Sequence, residues 1–364
     1  MAPPPPHFAP ARRHAGWATL CAAGIAGLVL SACSSSPAAP QATDTTHPPP
    51  TTTTTASTTP DAPTCPLTGT AVPGGAAVPL RPALAVKIDN YPGARPQSGL
   101  DKADVVFEEP VEGGITRYAV VFQCQDAALV GPIRSARNID IGILGQLGNP
   151  IEVHVGGIGP VLANISASPI VNVDLFNFGS VQTHPAGRYA PYDTYSSTAG
   201  LWSTHPTMQT PPAALYTYST TVPNGGKPAT TIHVPFSSTS NVTWRYNPTF
   251  GVYARYYNGS APDRLADGQQ SSASTVIVQF VAISYGPWVE NAGGGLEVQA
   301  DLYPDVTGFA KIFRNGTEIG AYWKRASLGS PTQYVTASGA VIPMEPGRTW
   351  VELVPDTIAV TSGP

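Results

Sequence analysis

Two arginines near the middle of the chain form the densest group of residues that could bind a ligand. Arg134 and Arg137 flank Ser135 in the segment Gly-Pro-Ile-Arg-Ser-Ala-Arg at residues 131–137. Because serine is a favoured helix N-cap, Ser135 predicts the start of a helix at this point. Free backbone N–H groups and the positive end of the helix dipole would then lie beside the two guanidinium groups. That combination suits a phosphate or a carboxylate.

Acidic residues lie close to these arginines in sequence and leave two interpretations open. Glu108 and Glu112 precede a Gly-Gly pair, and Arg117 follows it. If the two glutamates share one face, they could act as an acid and a base, as paired carboxylates do in glycosidases. Alternatively, these glutamates and Asp89 are structural ion-pair partners of the arginines, or charged groups at solvated strand ends.

The histidines and the serine are weaker candidates for catalysis. His154 ends an apolar run just before a Gly-Gly pair, where a ligand could approach the backbone closely, but a lone histidine there is more often a hydrogen-bonded core residue. His184 and His205 each precede a proline and are expected in loops. Ser135 lacks the G-x-S-x-G surroundings of a nucleophile elbow. The sequence has no Walker loop, H-E-x-x-H or dinucleotide fingerprint, so no cofactor is expected and no metal site is assigned, although metal dependence stays open.

The segments around these residues predict an N-terminal α/β domain with a mixed sheet. Strands are predicted at residues 83–88, 105–108, 116–122 and 151–155, and helices at 136–147 and 161–166. The second and third strands pair across Gly113-Gly114, because glycine supplies the positive φ that a tight turn requires.

The chain beyond residue 205 has a different pattern, in which short β-branched and aromatic runs recur between turns. These runs predict strands at residues 231–234, 242–246, 252–257, 275–282, 295–301, 308–314, 322–324 and 349–354. No long helix is predicted there, which favours a second, mainly β domain. The expected fold class is therefore α+β.

The N-terminal residues indicate where the protein is located. The basic pair Arg12-Arg13 precedes an apolar run at residues 17–30, and the run closes with Leu-Ser-Ala-Cys at residues 30–33. These are the parts of a secretory signal with a bacterial lipobox. The run has 14 residues, fewer than the roughly 20 that a transmembrane helix needs. We therefore expect cleavage before Cys33, acylation of its thiol and attachment to the membrane through the acyl groups.

Composition divides the rest of the chain into a tether and a folded body. Residues 33–63 are rich in Ser, Thr and Pro and are expected to be disordered, with a reach of about 90 Å when extended. The predicted layout is a signal peptide at residues 1–32, this tether at 33–63, the α/β domain at 64–215 and the β domain at 228–360.

The net charge argues against one class of partner, and the cysteines that remain allow a disulfide to be predicted. Loss of Arg12 and Arg13 with the signal leaves 17 Lys plus Arg against 23 Asp plus Glu, a net charge of −6. Such a chain lacks the basic stripe of a nucleic-acid binder. Cys65 and Cys124 remain in the folded body, and in an oxidising compartment we expect them to form a disulfide. Two free thiols are the alternative, and the absence of C-x-x-C spacing argues against a metal pair.

Several blocks of sequence resemble the YerB-type family of bacterial lipoproteins. They are KIDN at 87–90, ARPQSGL at 94–100, ADVVFE at 103–108, VEGGITR at 111–117, GPIRSAR at 131–137 and VHVGG at 153–157. The C-terminal segments RNG at 314–316, WK at 323–324 and PGRTW at 346–350 resemble the family's second domain. The resemblance covers about residues 80–355.

The resemblance implies a secreted or lipid-anchored protein in two parts, and it supplies no reaction because the family is a domain of unknown function. It implies a shared cleft formed by the matching positions Asp89, Arg95, Glu108, Glu112, Arg117, Arg134, Ser135, Arg137 and His154. Two departures stand out. This chain has Tyr192-Asp193 where the family tends to have His-Asn, and Ile158 where it tends to have Ser. If that His or Ser were catalytic, this chain would bind without turnover.

Together these observations predict a lipid-anchored extracytoplasmic protein that binds a polar or anionic cell-envelope ligand, such as a wall glycan, through Arg134, Arg137 and Arg117. A cell-envelope hydrolase acting on glycan or phosphodiester bonds is one alternative, with Glu108 and Glu112 or His154 as acid and base. A scaffold that recruits other envelope proteins through its second domain is another.

Overall fold

The computed structural model describes residues 62–364. The predicted signal peptide, the acylation at Cys33 and almost all of the predicted tether lie outside these residues. Within them the chain forms a mixed sheet in its N-terminal half and is mainly β in its C-terminal half, which confirms the predicted α+β class. None of the helices between residues 62 and 364 is long and apolar enough to cross a membrane.

The N-terminal half contains five strands and three short α-helices. The strands are β1 (Leu84–Asp89), β2 (Val105–Pro110), β3 (Thr116–Phe122), β4 (Ile151–His154) and β5 (Val171–Asp174). The helices are α1 (Ile139–Leu144), α2 (Gly159–Ser166) and α3 (Thr198–Trp202). Short 3₁₀ turns lie at Pro73–Gly75, Pro92–Ala94, Leu100–Lys102, Glu112–Gly114, Gly145–Leu147, Leu175–Asn177 and Gly179–Val181.

The C-terminal half adds strands only. They are β6 (Lys227–Pro228), β7 (Thr231–Pro235), β8 (Asn241–Asn247), β9 (Val252–Tyr257), β10 (Ala261–Pro262), β11 (Ser272–Ala273), β12 (Thr275–Val281), β13 (Ile283–Val289), β14 (Leu296–Ala300), β15 (Val306–Arg314), β16 (Thr317–Arg325), β17 (Gln333–Val335), β18 (Thr349–Pro355) and β19 (Thr361–Gly363). Each C-terminal strand predicted from the sequence is present, whereas β13 and the short strands β6, β10, β11, β17 and β19 were not predicted.

One large sheet runs through both halves of the chain. Its order is β17-β16-β15-β12-β18-β2-β3-β1-β4-β5, with β6 at the edge beside β16. The halves join where β18 pairs in parallel with β2, Thr349 opposite Val105 and Glu352 opposite Glu108. Hydrogen bonds of a continuous ladder therefore connect the two halves, and the described residues fall within one compact unit.

The large sheet is covered on both faces, since successive side chains of a strand point to opposite sides. On one face, Val86 and Ile88 of β1 share an apolar core with Trp244 and Tyr253 of a six-stranded antiparallel sheet ordered β10-β9-β8-β7-β19, with β11 beside β9. On the other face, Ala85 packs in the core that contains α1 and α2. The hairpin β13–β14 forms a separate two-stranded sheet.

The hairpin of β2 and β3 follows its sequence prediction closely. The strands pair antiparallel from Val105 opposite Val121 to Pro110 opposite Thr116. Gly113 and Gly114 in the connection have φ of 80° and 71°, the left-handed conformation for which glycine was expected.

The predicted helix at residues 136–147 is shorter and starts later than expected. The α-helix is limited to Ile139–Leu144, a 3₁₀ turn follows it, and Asn138 rather than Ser135 is its N-cap. The preceding segment stays extended because its backbone is already bonded to neighbours: Ile133 N donates to Thr194 O, and Arg134 N donates to Lys87 O. The prediction that Ser135 caps this helix was wrong for that reason.

The Cys65–Cys124 disulfide is present as predicted. It joins the start of the described chain to the end of β3, and both cysteines pack with Val72 in a small apolar cluster.

Candidate functional site

Arg134 lies beside the end of β1, where its backbone N–H donates to Lys87 O. It is the most accessible arginine of the predicted cluster. Its Nε donates to Asp89 Oδ2 at 2.8 Å, and Asp89 Oδ1 accepts from the backbone N–H of Tyr91. The Arg134 side chain is 24% exposed, whereas that of Asp89 is 3% exposed. Within residues 62–364 the two terminal nitrogens of Arg134 donate no hydrogen bond. The Nε of Arg134 is therefore held by Asp89, while its two terminal nitrogens have no partner in the described residues.

Arg117 lies on β3 beside Arg134 and is buried. Its Nη1 donates to Ser135 O at 3.2 Å, its Nη2 is 3.8 Å from Glu112 Oε1, and its Nε has no hydrogen-bond partner in the described chain. Burial, together with repulsion from Arg137, lowers the pKa of Arg117 to about 10. This arginine thus adds positive charge behind Arg134 and is incompletely neutralised.

Arg137 forms a buried ion pair with Glu112. Its Nε donates to Glu112 Oε2 at 2.9 Å and its Nη2 donates to Oε1. Burial would lower the pKa of Arg137, but the hydrogen bond and charge of Glu112 outweigh it and raise the pKa. Burial would likewise raise the pKa of Glu112, but its bonds to Arg137 lower it. Arg137 and Glu112 therefore form a structural ion pair, which was one of the two interpretations left open by the sequence.

The β13–β14 hairpin of the C-terminal half contributes a second carboxylate to Arg137. Glu290 Oε2 lies 3.4 Å from Arg137 Nη1, and neither oxygen of Glu290 has a hydrogen-bond partner among the described residues. Burial raises the pKa of Glu290, opposed by Arg137, and burial also raises the pKa of the nearby Glu297. The hairpin can approach this closely because Gly295 has no side chain. A Cβ at this position would lie only 2.9 Å from Glu112 Cβ.

Two tyrosines lie beside the accessible arginine. The rings of Tyr91 and Tyr192 stack with centroids 6.3 Å apart and planes 12° apart. Burial raises the pKa of Tyr192, an effect that the charge of Asp89 reinforces and that of Arg134 opposes. A protonated phenol is a hydrogen-bond donor. Tyr192 is one of the two departures from the family pattern noted in the sequence.

Glu108 lies apart from this cluster, on the opposite face of the sheet. Both of its oxygens accept from Nη2 of Arg255, at 2.9 and 2.8 Å, and Trp350 Nε1 donates to Oε2. Because side chains alternate along β2, Glu108 points to the second sheet while Glu109 lies opposite Arg117. Glu108 and Glu112 therefore have different partners, and the structure does not bring them together as an acid–base pair.

The remaining predicted residues have structural contacts. His154 is buried. Its Nδ1 lies 3.0 Å from Gly156 O, and its Nε2 lies 2.6 Å from Asn172 Oδ1. The guanidinium of Arg95 bonds to Asn90 and lies 3.4 Å above the ring of Tyr257. The backbone oxygen of Ser135 accepts from Arg117, so Ser135 lies in the arginine cluster.

A fully buried group of charges supports the cluster from below. Lys87 Nζ donates to Glu109 and to Asp140 Oδ1, the latter at 2.6 Å. Asp140 Oδ2 in turn accepts from the backbone N–H of Arg137 at 2.7 Å. Burial and the charge of Asp140 raise the pKa of Glu109 to about 8, opposed by Lys87, and burial raises the pKa of Glu152. This group connects β1, β2 and β4 to the start of α1.

A hollow of about 690 Å³ borders Glu112 on the side of the hairpin. Its walls are mostly apolar and include Ile115, Phe236, Tyr285 and Leu296. Its size is within the range of small-molecule sites. Residues 62–364 contain no group of three or more His, Cys, Asp or Glu that could hold a metal ion.

Sequence reasoning missed the residues that the C-terminal half brings to these sites. Glu290 and Arg255 lie 178 and 147 residues from Glu112 and Glu108, respectively, so no local spacing relates them. The Gly-Gly-Gly run at residues 293–295 was the signal available, because it indicates a turn whose hairpin carries Glu290 and Glu297.

Comparison with known proteins gives consistent matches over both halves. Residues 67–210 match the N-terminal domain, and residues 232–351 the C-terminal domain, of a family described as "Protein of unknown function (DUF3048)". The chain is 26% identical over 355 residues to "Putative lipoprotein YerB" of Bacillus subtilis (strain 168), covering 95% of this chain and 97% of that protein.

A crystal structure of the YerB protein from Bacillus subtilis is also similar. It has a TM-score of 0.70 and 25% identity, and the match covers 83% of this chain and 99% of that one. The family resemblance inferred from the sequence blocks is thereby confirmed. With both domain matches in order along one continuous sheet, the chain belongs to the DUF3048 family, the family of the YerB-type lipoproteins.

Proposed function

We propose that this protein is an extracytoplasmic lipoprotein, anchored through acyl groups on Cys33, that binds an anionic cell-envelope ligand at Arg134. The observation that carries the proposal is the free end of the Arg134 guanidinium. Its Nε is fixed by Asp89, its terminal nitrogens have no partner in residues 62–364, and the side chain is partly exposed. A guanidinium with two adjacent free donors matches the two oxygens of a carboxylate or phosphate.

Charge in the surrounding cluster favours an anion. Arg117, Arg134 and Arg137 face the carboxyl groups of Asp89, Glu112 and Glu290. The Nε of Arg117 and the terminal nitrogens of Arg134 donate no hydrogen bond in residues 62–364, which leaves an excess of cationic donors beside Arg134. An anion at Arg134 would offset that excess, and the phenol of Tyr192 would supply a further donor. Ser135, whose backbone orients Arg117, would act as a positioning residue.

Substitutions at Arg134 test this proposal. Full-length protein in detergent micelles is titrated with inorganic phosphate and with acetate, which represent the two anion classes, by calorimetry. We expect Arg134→Ala to weaken binding by about tenfold or more, because a hydrogen bond to a charged group contributes about 1.5–3 kcal/mol. Arg134→Lys keeps a positive charge beside Asp89 but loses the two parallel N–H donors of the guanidinium, so it should also weaken binding.

The control is Arg245→Ala, which removes an exposed arginine on β8 of the second sheet. It should bind both anions as the unaltered protein does. Melting temperatures of all three variants should stay close to that of the parent. Unchanged anion binding in Arg134→Lys and Arg134→Ala would show that Arg134 is not the anion site. A large fall in melting temperature for both would show that Arg134 has a structural role instead.

A hydrolase is a second candidate function, favoured by the pair Glu112 and Glu290. The two carboxyl groups share Arg137, yet the pKa of Glu112 is lowered and that of Glu290 is raised. Opposite shifts of this kind distinguish a base from an acid in glycosidases. The hollow of about 690 Å³ beside Glu112 would hold the substrate. Glu290 takes the place that the sequence had suggested for Glu108.

Product release tests the hydrolase directly. Full-length protein is incubated with purified wall glycan and the new reducing ends are measured. A hydrolase should release them, and Glu290→Gln should reduce the rate by about 100-fold or more, since it removes the general acid. The exposed variant Asp267→Asn is the control and should retain the full rate. Absence of release with the parent protein would reject this function and leave the binding proposal intact.

A further inference from the structure

A second hollow lies on the C-terminal half, and none of its lining residues belongs to the arginine cluster. It has a volume of about 560 Å³ and is bordered by Phe280, Phe309, Thr307, Asp301 and Asp356. Phe280 is on β12 and Phe309 on β15, neighbouring strands of the large sheet. None of these residues takes part in the proposed anion site, so a ligand could occupy this hollow whether or not Arg134 binds an anion.

One wall of this hollow is aromatic and exposed. The rings of Phe280 and Phe309 stack with centroids 5.9 Å apart and planes 20° apart. Tyr322 on β16 meets the edge of Phe309 at 6.1 Å. Phe309 is 44% exposed and Tyr322 is 52% exposed. Adjacent exposed aromatic rings leave apolar surface in contact with water, a feature that often marks a binding site.

The other wall carries two carboxylates. The backbone N–H of Asp301 donates to Ala282 O and that of Asp356 donates to Val281 O, each at 3.0 Å. Both residues are therefore fixed at the end of β12, beside Phe280. Within residues 62–364 neither carboxylate forms an ion pair or a side-chain hydrogen bond. The hollow thus combines two negative charges that lack a described partner with a flat aromatic surface.

We infer that this hollow binds an amino sugar whose amino group is free and protonated. Charge complementarity specifies the ammonium group, because carboxylates attract it directly and aromatic faces attract cations through their quadrupole. The two nearly parallel phenyl rings specify the rest of the ligand, since they offer a flat apolar surface to the C–H face of a six-membered ring. The volume is within the range of sites for ligands of a few rings.

The inference is tested by calorimetry on the full-length protein in detergent micelles with three probes. A tetramer of glucosamine has both the rings and the charge, its N-acetylated counterpart has the rings without the charge, and cadaverine has the charge without the rings. We expect saturable binding of the glucosamine tetramer and binding at least about tenfold weaker for each of the other probes.

Variants assign the binding to the hollow. The double variant D301N/D356N and the single variant Phe309→Ala should each weaken binding of the glucosamine tetramer by about tenfold. Their matched controls are Asp267→Asn and Phe250→Ala, which change an exposed aspartate and an exposed phenylalanine in turns elsewhere. Because all of these side chains are exposed except for a part of Phe309, melting temperatures should change little.

Several results would overturn the inference. Equal affinity for the N-acetylated tetramer would show that the carboxylates do not select a charge. Equal affinity for cadaverine would show that the rings are not recognised. No saturable binding of the glucosamine tetramer, or unaltered binding by D301N/D356N, would show that the hollow is not its site.

Discussion

Replacing Arg255 with alanine is expected to lower the free energy of unfolding by about 3–5 kcal/mol, because it removes one partner of a buried ion pair. Arg255 is fully buried between the two sheets, where it bonds to both oxygens of Glu108 and to Asp263 Oδ2 at 2.9 Å. Its loss would leave two buried carboxyl groups without their cation, which costs far more than the loss of a surface pair.

The same buried group contains a further carboxyl that increases this effect. Burial and the charge of Glu108 raise the pKa of Glu352, opposed by Arg255. Trp244 Nε1 donates to Glu352 Oε1 at 2.7 Å, so the group links β8 of the second sheet to β18 of the large one. Without Arg255, these carboxyl groups can be neutralised only by taking up protons.

Chemical denaturation of the purified protein measures the loss. Arg245→Ala on the neighbouring strand is the control, because its side chain is exposed and its removal should change stability by less than about 0.5 kcal/mol. The double variant E108Q/R255M, which removes a charge of each sign, should recover part of the stability lost in Arg255→Ala. A loss below about 1 kcal/mol in Arg255→Ala would mean that the pair does not hold the two sheets together.

Replacing Lys87 with methionine is expected to destabilise the protein by a similar amount, about 3–5 kcal/mol at neutral pH. Lys87 is the cation among the fully buried Glu109, Asp140 and Glu152. Burial would lower the pKa of Lys87, but the charges of Asp140 and Glu109 outweigh it and raise the pKa. Methionine fills a similar volume, so the loss would report charge more than packing.

The pH dependence of this variant follows from the raised carboxyl pKa values. The pKa of Glu109 is about 8 in the folded protein, above its ordinary value of 4.5, so the folded state binds more protons than the unfolded state between these values. The stability that this group contributes is present below about pH 4.5 and is lost as the pH rises through about 8. Removing Lys87 raises the pKa of Glu109 further, so the loss should be larger at pH 8 than at pH 5.

Denaturant unfolding at pH 5, 7 and 8 measures this difference. Lys102→Met, which replaces an exposed lysine, should give a curve parallel to that of the parent. Glu109→Gln should flatten the decline between pH 5 and pH 8, because the titrating group is gone. If Lys87→Met lost the same free energy at all three pH values, the buried carboxyl groups would not be the cause.

The sequence predicted elements whose signals are local. The β2–β3 hairpin was predicted because strand-like runs flank Gly113-Gly114. The disulfide was predicted because Cys65 and Cys124 are the two cysteines left once Cys33 is assigned to the lipid anchor. The helix after Ser135 was misjudged because distant partners, Thr194 and Lys87, keep the preceding segment extended. Helix propensity is a property of the local sequence and does not include contacts with distant residues.

The candidate site was predicted in part for the same reason. Arg117, Arg134 and Arg137 do lie together, because β3 begins where β1 ends and the segment before α1 is bonded to the end of β1. Their pairing with Asp89 and Glu112 was foreseen as an alternative. Glu290 was not foreseen because only the fold of the C-terminal half brings it there. Glu108 was grouped with Glu112 because residues four apart on one strand would share a face. In the structure β2 ends at Pro110 and Glu112 lies in the 3₁₀ turn that follows, so the two side chains separate.

The most direct test of the binding proposal is to observe the arginines themselves during titration. The Nε–H resonances of Arg134 and Arg117 can be followed by nuclear magnetic resonance as inorganic phosphate is added at constant ionic strength, with assignments from Arg134→Lys. An anion site at Arg134 predicts saturable shifts of these two resonances, while the exposed Arg245 stays unshifted. The proposal is contradicted if Arg134 and Arg117 do not shift, or if Arg245 shifts in parallel with them.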